Sequence, residues 1–185
     1  MIKTKDDLKK YLQSDCGGFF SGNRKAKEAY MKRVKDPRRL IAVYLRYLRK
    51  EEFCLNRDKK TILSKISCLL FERRRNRIGE RIGFCMEANC FEEGLTIDHC
   101  GSIVVNPKAK IGKNCRLHGN NCIGNNGSVD LAPKIGNNVD IGFGAVLIGD
   151  IYIADGIKIG ANAVVNKSFF EEGITIAGVP AKRVR

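Results

Sequence analysis

The sequence predicts a mainly β protein, a three-sided parallel β-helix behind a small basic α-helical segment. Two observations carry this. Val105, Ile111, Leu117, Ile123, Val129, Ile135, Ile141, Leu147, Ile153, Ile159 and Val165 follow one another at intervals of six, eleven aliphatics in one phase. The charge is also divided, with 24 Lys and Arg against 10 Asp and Glu over residues 1–84, and 10 of each over residues 85–185. Charge and periodicity change together near Phe84. The chain therefore reads as a helical unit over 1–84 and a β-helical unit over 85–185.

The helical elements come first. Lys5–Leu12 and Arg24–Val34 read as short helices split by Cys16-Gly17-Gly18. Between Leu40 and Leu48 apolar residues recur every three or four positions behind Asp36-Pro37, an aspartate cap followed by proline in the first turn. A further helix runs from Asp58 through Ile62, Ile66, Leu69 and Leu70 into the basic run Arg73-Arg74-Arg75-Asn76-Arg77. The positive charge fits a solvated helix face, or contact with an anionic membrane surface or a phosphate-bearing substrate. No nucleic-acid motif accompanies it.

The six-residue period matches neither an α-helix nor a continuous alternating strand. It requires a coil that turns a corner every six residues, with the aliphatic directed to the axis. Three such sides make one turn, and stacked turns bury a column of Val, Ile and Leu. Small or apolar residues recur four places after the aliphatic, at Ala109, Cys115, Val139, Ala145, Ile151, Ile157 and Ala163. Upstream, Cys85, Phe91, Ile97 and Ile103 keep the period with a shifted phase. Asn114, Asn138 and Asn162 fall at corners, where asparagine tolerates the left-handed backbone region.

Composition narrows the classes further. With 43% hydrophobic and 29% charged residues, the chain has enough apolar material for a core. No apolar run approaches the roughly 18 residues of a membrane span. The segment from Met1 to Asp7 lacks the apolar stretch of a secretory signal. The expected setting is the cytoplasm, or the inner face of its membrane. None of the eight cysteines forms a Cys-x-x-Cys pair, so they read as reduced, mostly buried small hydrophobes and not as a metal site.

Hexads such as Ile159-Gly160-Ala161-Asn162-Ala163-Val164 resemble those of the hexapeptide-repeat acyltransferases. That resemblance implies left-handed coils, an exception to the usual crossover hand. More narrowly, the segment from Ile97 to Val105, which contains Asp98-His99, resembles the Asp-His segment of serine acetyltransferases. Ala177-Gly178-Val179-Pro180-Ala181-Lys182 is similar to that family's C-terminal motif. The resemblance covers 85–185 well and the helical segment loosely. The chain also resembles the serine-acetyltransferase-like proteins of surface-polysaccharide gene clusters.

Moving an acetyl group from a thioester to a hydroxyl needs a base, an oxyanion donor and a groove for the pantetheine arm. Histidine is the natural base near neutral pH, and the chain has two. The resemblance makes His99 the catalytic base, acting directly on the acceptor hydroxyl, and Asp98 a catalytic-site aspartate that contacts substrate. His118 is expected to bind substrate, or to act as the base itself. Two histidines cannot build a three-histidine zinc site, so no metal is expected.

The departures from the family are informative. The second aspartate that supports the imidazole falls at Phe84, and the Arg-His pair that holds the serine carboxylate falls at Leu131-Ala132. Glu87, Glu92 or Glu93 are candidates for the missing acid, with Glu87 placed at the substrate. These losses spare the acetyl-CoA groove, for which Asn125, Phe143 and Ala161 are expected to stack one coil apart. Lys182 and Arg183 are placed to meet the cofactor's phosphates. The expected activity is acetyl-CoA-dependent O-acetyl transfer to a saccharide hydroxyl by a homotrimer. L-serine as acceptor and a non-catalytic β-helical scaffold are the alternatives.

Overall fold

The structure is a computed structural model that describes residues 1–15, 24–58, 61–127 and 130–184. The expected break at Cys16-Gly17-Gly18, and Val129 of the aliphatic series, lie outside the described residues. α1 (Lys5–Ser14) starts on a capping box, in which Thr4 accepts from the Asp7 amide and Asp7 accepts from the Thr4 amide. α2 (Arg24–Arg33), α3 (Arg38–Asn56) and α4 (Ile62–Ile82) follow. α3 starts one residue later than expected, with Pro37 and not Asp36 at its cap position, while the Asp36 carboxylate still takes the Arg38 amide at 2.9 Å. α4 begins at a Thr61 cap and not at Asp58, because the Thr61 hydroxyl satisfies the Ser64 amide. It ends at Gly83, whose left-handed φ of 80° turns the chain into the first strand. Ile62, Leu63, Ile66 and Leu69 on α4 stand exposed.

The strands form three sheets, one for each side of a prism. The first side holds β1 (Phe84–Cys85), β3 (Ile103–Val105), β6 (Cys122–Gly124), β9 (Val146–Ile148) and β12 (Val164–Val165). The second holds β4 (Lys110–Ile111), β7 (Lys134–Ile135) and β10 (Tyr152–Ile153). The third holds β2 (Thr96–Ile97), β5 (Arg116–Leu117), β8 (Asp140–Ile141), β11 (Lys158–Ile159) and β13 (Thr175–Ala177). The chain visits the sides in rotation, and every pairing among these strands is parallel. β14 (Lys182–Arg183) then returns antiparallel on β13.

The axis is filled as the period requires. Leu117, Ile123, Ile141, Leu147, Ile153 and Val165 have no exposure, and neither do Ala109, Val139, Ala145, Ile157 and Ala163 at the small positions. Burying each large aliphatic contributes about 1.5–3 kcal/mol. Asn114, Asn138 and Asn162 take left-handed φ values of 55°, 55° and 56°, as their corner positions call for. Cys85, read as inward, is exposed, while Phe84 and Met86 are buried. Phe84 pairs with Ile103, a step that is not a whole number of hexads, so the first coil is out of phase with the others.

A later coil is longer by a whole hexad. Lys110 pairs with Lys134, Arg116 with Asp140 and Cys122 with Val146, each a step of four hexads. Lys134 to Tyr152 and Asp140 to Lys158 are steps of three. One extra period therefore lies between β6 and β7. Because the insertion equals the repeat itself, the aliphatic phase survives and conceals it.

The helices cover the first coil by supplying the polar partners that a preceding coil would have given. Arg49, without exposure on α3, donates to the carbonyls of Phe91 and Glu92 at 2.8 Å each. It also pairs with Asp15 at 2.7 Å and Glu52 at 2.9 Å. Asp15 accepts from the amides of Gly94 and Leu95 at 3.0 and 3.1 Å, and Glu52 from Asn89 at 2.9 Å. Arg75 pairs with Glu51 at 2.7 Å and donates to the Met86 carbonyl, which Tyr44 also reaches at 3.2 Å. Burial opposes charge on Arg49, but Glu52 and Asp15 outweigh it and hold the guanidinium charged.

Candidate active site

The corner where the third side turns into the first brings most of the expected residues together. β2 and β5 pair so that Asp98 and His118 are neighbours, the Asp98 amide donating to Leu117 at 3.0 Å. One step on, His99 lies against Gly119. A Cβ on Gly119 would sit 3.3 Å from the His99 Cβ and 3.3 Å from the Phe143 ring, and its φ of 120° already favours glycine. Ala161 continues the stack, because β8 and β11 pair Ile141 with Ile159. His99, Gly119, Phe143 and Ala161 thus line one edge of the prism.

The two histidines differ in what surrounds them. His118 Nε2 lies 2.6 Å from Oδ1 of Asp140, and its Nδ1 3.3 Å from Oδ2 of Asp98. A carboxylate thus stands at each nitrogen of the His118 ring. Asp98 also takes Arg116 Nε at 2.8 Å, and that bond raises the Arg116 pKa. His99 is exposed, and among the described residues no carboxylate lies within ion-pair distance of its ring. It opens on a recess of about 650 Å³ formed with Cys100 and with Val34, Lys35, Asp36, Pro37 and Arg38 from the α2–α3 corner. Burial raises the Cys100 thiol's pKa, and the Cys100 Sγ donates to the Pro37 carbonyl at 3.6 Å, fastening that corner to the coil.

The other expected residues stand elsewhere. Asn125 does not stack with Phe143 and Ala161. It follows β6 at the next corner, because the inserted period puts Gly119 beside Phe143 where uninterrupted coils would put Asn125. Glu87 is also at that next corner, drawn to Arg75 at 3.5 Å, so it does not supply the acid for His99. Of the other candidate acids, Glu93 pairs with Lys10 at 2.7 Å and with Lys113 at 3.4 Å. Arg183 pairs with Glu171 at 2.6 Å, while Lys182 lies exposed beside it on β14. Phe84 is buried edge-on against Tyr44, 5.4 Å between ring centroids, so the family's second aspartate has no counterpart there.

Asp140, Arg116 and the Lys35–Arg38 corner belong to the site, and sequence reasoning misses all three. The inserted period keeps the aliphatic phase and so hides the pairing of Asp140 with Arg116. Nothing local points from Lys35 to His99, far along the chain. Among the described residues no cluster of His, Cys, Asp or Glu is arranged to hold a metal ion, and no helix is long and apolar enough to cross a membrane.

The three-sided parallel coil behind a helical segment is the fold of solved serine acetyltransferases. In sequence, too, the chain is a relative of the serine acetyltransferases. It is 37% identical to the serine acetyltransferase of Helicobacter pylori over 93 residues, 49% of this chain and 54% of that one. Its fold matches a soybean serine acetyltransferase complexed with serine at a TM-score of 0.71 and 22% identity, covering 97% of this chain and 70% of that one. A Brucella abortus serine acetyltransferase in complex with coenzyme A gives 0.71 at 21% identity, covering 97% and 68%. No protein-family model matches the chain. The chain spans about half the length of the Helicobacter relative.

Proposed function

We propose that this protein is an acetyl-CoA-dependent O-acetyltransferase with His99 as the general base. The observation that carries the reading is the position of His99, exposed on the prism edge between the recess and the Gly119–Phe143–Ala161 stack. An acceptor hydroxyl in the recess gives its proton to the imidazole and its oxygen attacks the thioester carbonyl. The tetrahedral intermediate collapses to the ester, and the departing thiolate recovers the proton from the imidazolium. His118, held by two carboxylates, keeps Asp98 in place and is not the base. Phe143 and Ala161 flank the path of the pantetheine arm, and Lys182 is the nearer candidate for the cofactor's phosphates because Arg183 is already paired.

The finer architecture belongs to this proposal. The β-helix, over 85–185, winds left-handed and assembles as a homotrimer, with 1–84 as a basic helical segment packed over its first coil. Acetyl-CoA supply puts the work in the cytoplasm. The similarity to serine acetyltransferases favours L-serine as acceptor. A saccharide hydroxyl is the second reading, favoured by Leu131 and Ala132 at the family's carboxylate-holding positions. Thiol release from acetyl-CoA with L-serine and a sugar panel tests both. His99→Ala should lower the rate by about 10²–10⁴-fold. Undiminished transfer in that variant removes His99 from the mechanism, and absence of acetyl-CoA binding favours a scaffold.

A further inference from the structure

We propose that Lys35 holds a carboxylate of the acceptor while His99 works on its hydroxyl, so that hydroxy acids are preferred to their neutral analogues. This deepens the transfer reading above and rests on it. Lys35 stands at the left-handed end of α2. Lys35 takes a left-handed φ of 54°, in a turn closed by the Lys35 amide on Lys32 at 3.3 Å and the Asp36 amide on Met31 at 2.9 Å. The turn breaks the helical path and brings Lys35 to the rim of the recess that His99 shares.

The neighbouring charges are already matched. Arg38 grips the Asp36 carboxylate through Nε at 3.0 Å and Nη2 at 2.6 Å, which also lowers the Asp36 pKa. Arg116 is bound to Asp98. Among the described residues no carboxylate lies within ion-pair distance of Lys35. The recess that His99 shares therefore carries, at Lys35, a positive charge with no acidic partner among the described residues. The positions that hold a carboxylate in the resembling family are Leu131 and Ala132, an exposed and a buried apolar residue. Lysine, a compact point charge on a flexible stem, suits an acid group whose distance from the reacting hydroxyl is not fixed by a bidentate fork. Both an amino acid and a uronic-acid sugar carry that chemistry.

The test uses four acceptors in two matched pairs, L-serine with serinol and D-glucuronate with D-glucose, and thiol release from acetyl-CoA by the full chain. The acid of at least one pair should have the lower KM. Lys35→Ala should raise that KM about tenfold or more while leaving kcat and the neutral partner's KM little changed. Lys35→Arg should recover most of the loss. A response in the serine pair identifies an amino acid as the source of the carboxylate, and one in the glucuronate pair a sugar acid. Equal KM values for acid and neutral partners overturn the proposal, as does an equal effect of Lys35→Ala on both or a rise confined to the KM for acetyl-CoA. If no acceptor releases thiol, the transfer reading fails by itself. The His99 imidazole resonances, distinguished from His118 with His118→Gln, then decide this proposal during titration with L-serine and D-glucuronate. Shifts in the wild type that vanish in Lys35→Ala sustain it, and no shift with either acid refutes it.

Discussion

Replacing Arg49 by methionine should destabilise the protein more than any substitution on the helical surface. The guanidinium is entirely buried, and its removal strands the carboxylates of Asp15 and Glu52 and the carbonyls of Phe91 and Glu92. Breaking one side of a buried ion pair costs about 3–5 kcal/mol. At about 2–4 °C per kcal/mol for a chain of this size, the melting temperature should fall by roughly 6–20 °C. Circular dichroism at increasing temperature reads the shift. The triple variant Arg49→Met, Asp15→Asn, Glu52→Gln separates stranded charge from lost packing, because removing all the charges together is close to neutral. It should recover most of the deficit. A single-variant drop under about 2 °C, or a triple variant no better than the single, would refute the reasoning.

Further outcomes follow from the same geometry. Asn138→Ala, forced to keep a φ of 55°, should cost about 1–2 kcal/mol in urea unfolding, and Asn138→Gly much less. Excising residues 125–130 removes one whole period, so the far-ultraviolet spectrum should persist with a stability change near the roughly 0.6 kcal/mol scale of loop-length effects; collapse of the spectrum counts against the insertion. Burial pushes the Cys90 thiol up to about 11 and Cys115 still higher, so both hold little thiolate under mildly alkaline conditions. Mass spectrometry after alkylation of the native protein should therefore find exposed Cys85 modified well before either. The Asp36 carboxyl sits below its ordinary range, so its pairing with Arg38 contributes at neutral pH and is lost as pH falls through the lowered value. Asp36→Asn should flatten that acid limb in pH-dependent melting curves.

The β-helix is readable because its period is a property of every coil, repeated at Val105, Leu117, Ile141 and Val165 alike. His99 is readable because Asp98 and Cys100 flank it in a local motif. What the sequence hides depends on register. Asn125 and Phe143 are three hexads apart, and a reader who assumes equal coils must stack them; the inserted period puts Gly119 there instead. The same insertion hides Asp140, which sits four hexads after its strand partner Arg116. Only the packing of Arg75 beside Glu87 removes that residue from the site, and long-range ion pairing leaves no trace in local spacing. The end of α4 at Gly83 is visible as a glycine after a basic turn, but its start is not, since Asp58 and Thr61 are both acceptable caps.

The antiparallel return of β14 and the helices over the first coil have a consequence for the behaviour of the protein at high concentration. A stack of parallel strands is open-ended by construction, and each terminal rung is a template for another chain. Here one terminus is occupied by a strand running the wrong way to be extended in kind, and the other by Arg49, Arg75, Asp15 and Glu52. The third side at one end and the first coil at the other are thus kept from continuing the repeat by a few residues far from the chemistry.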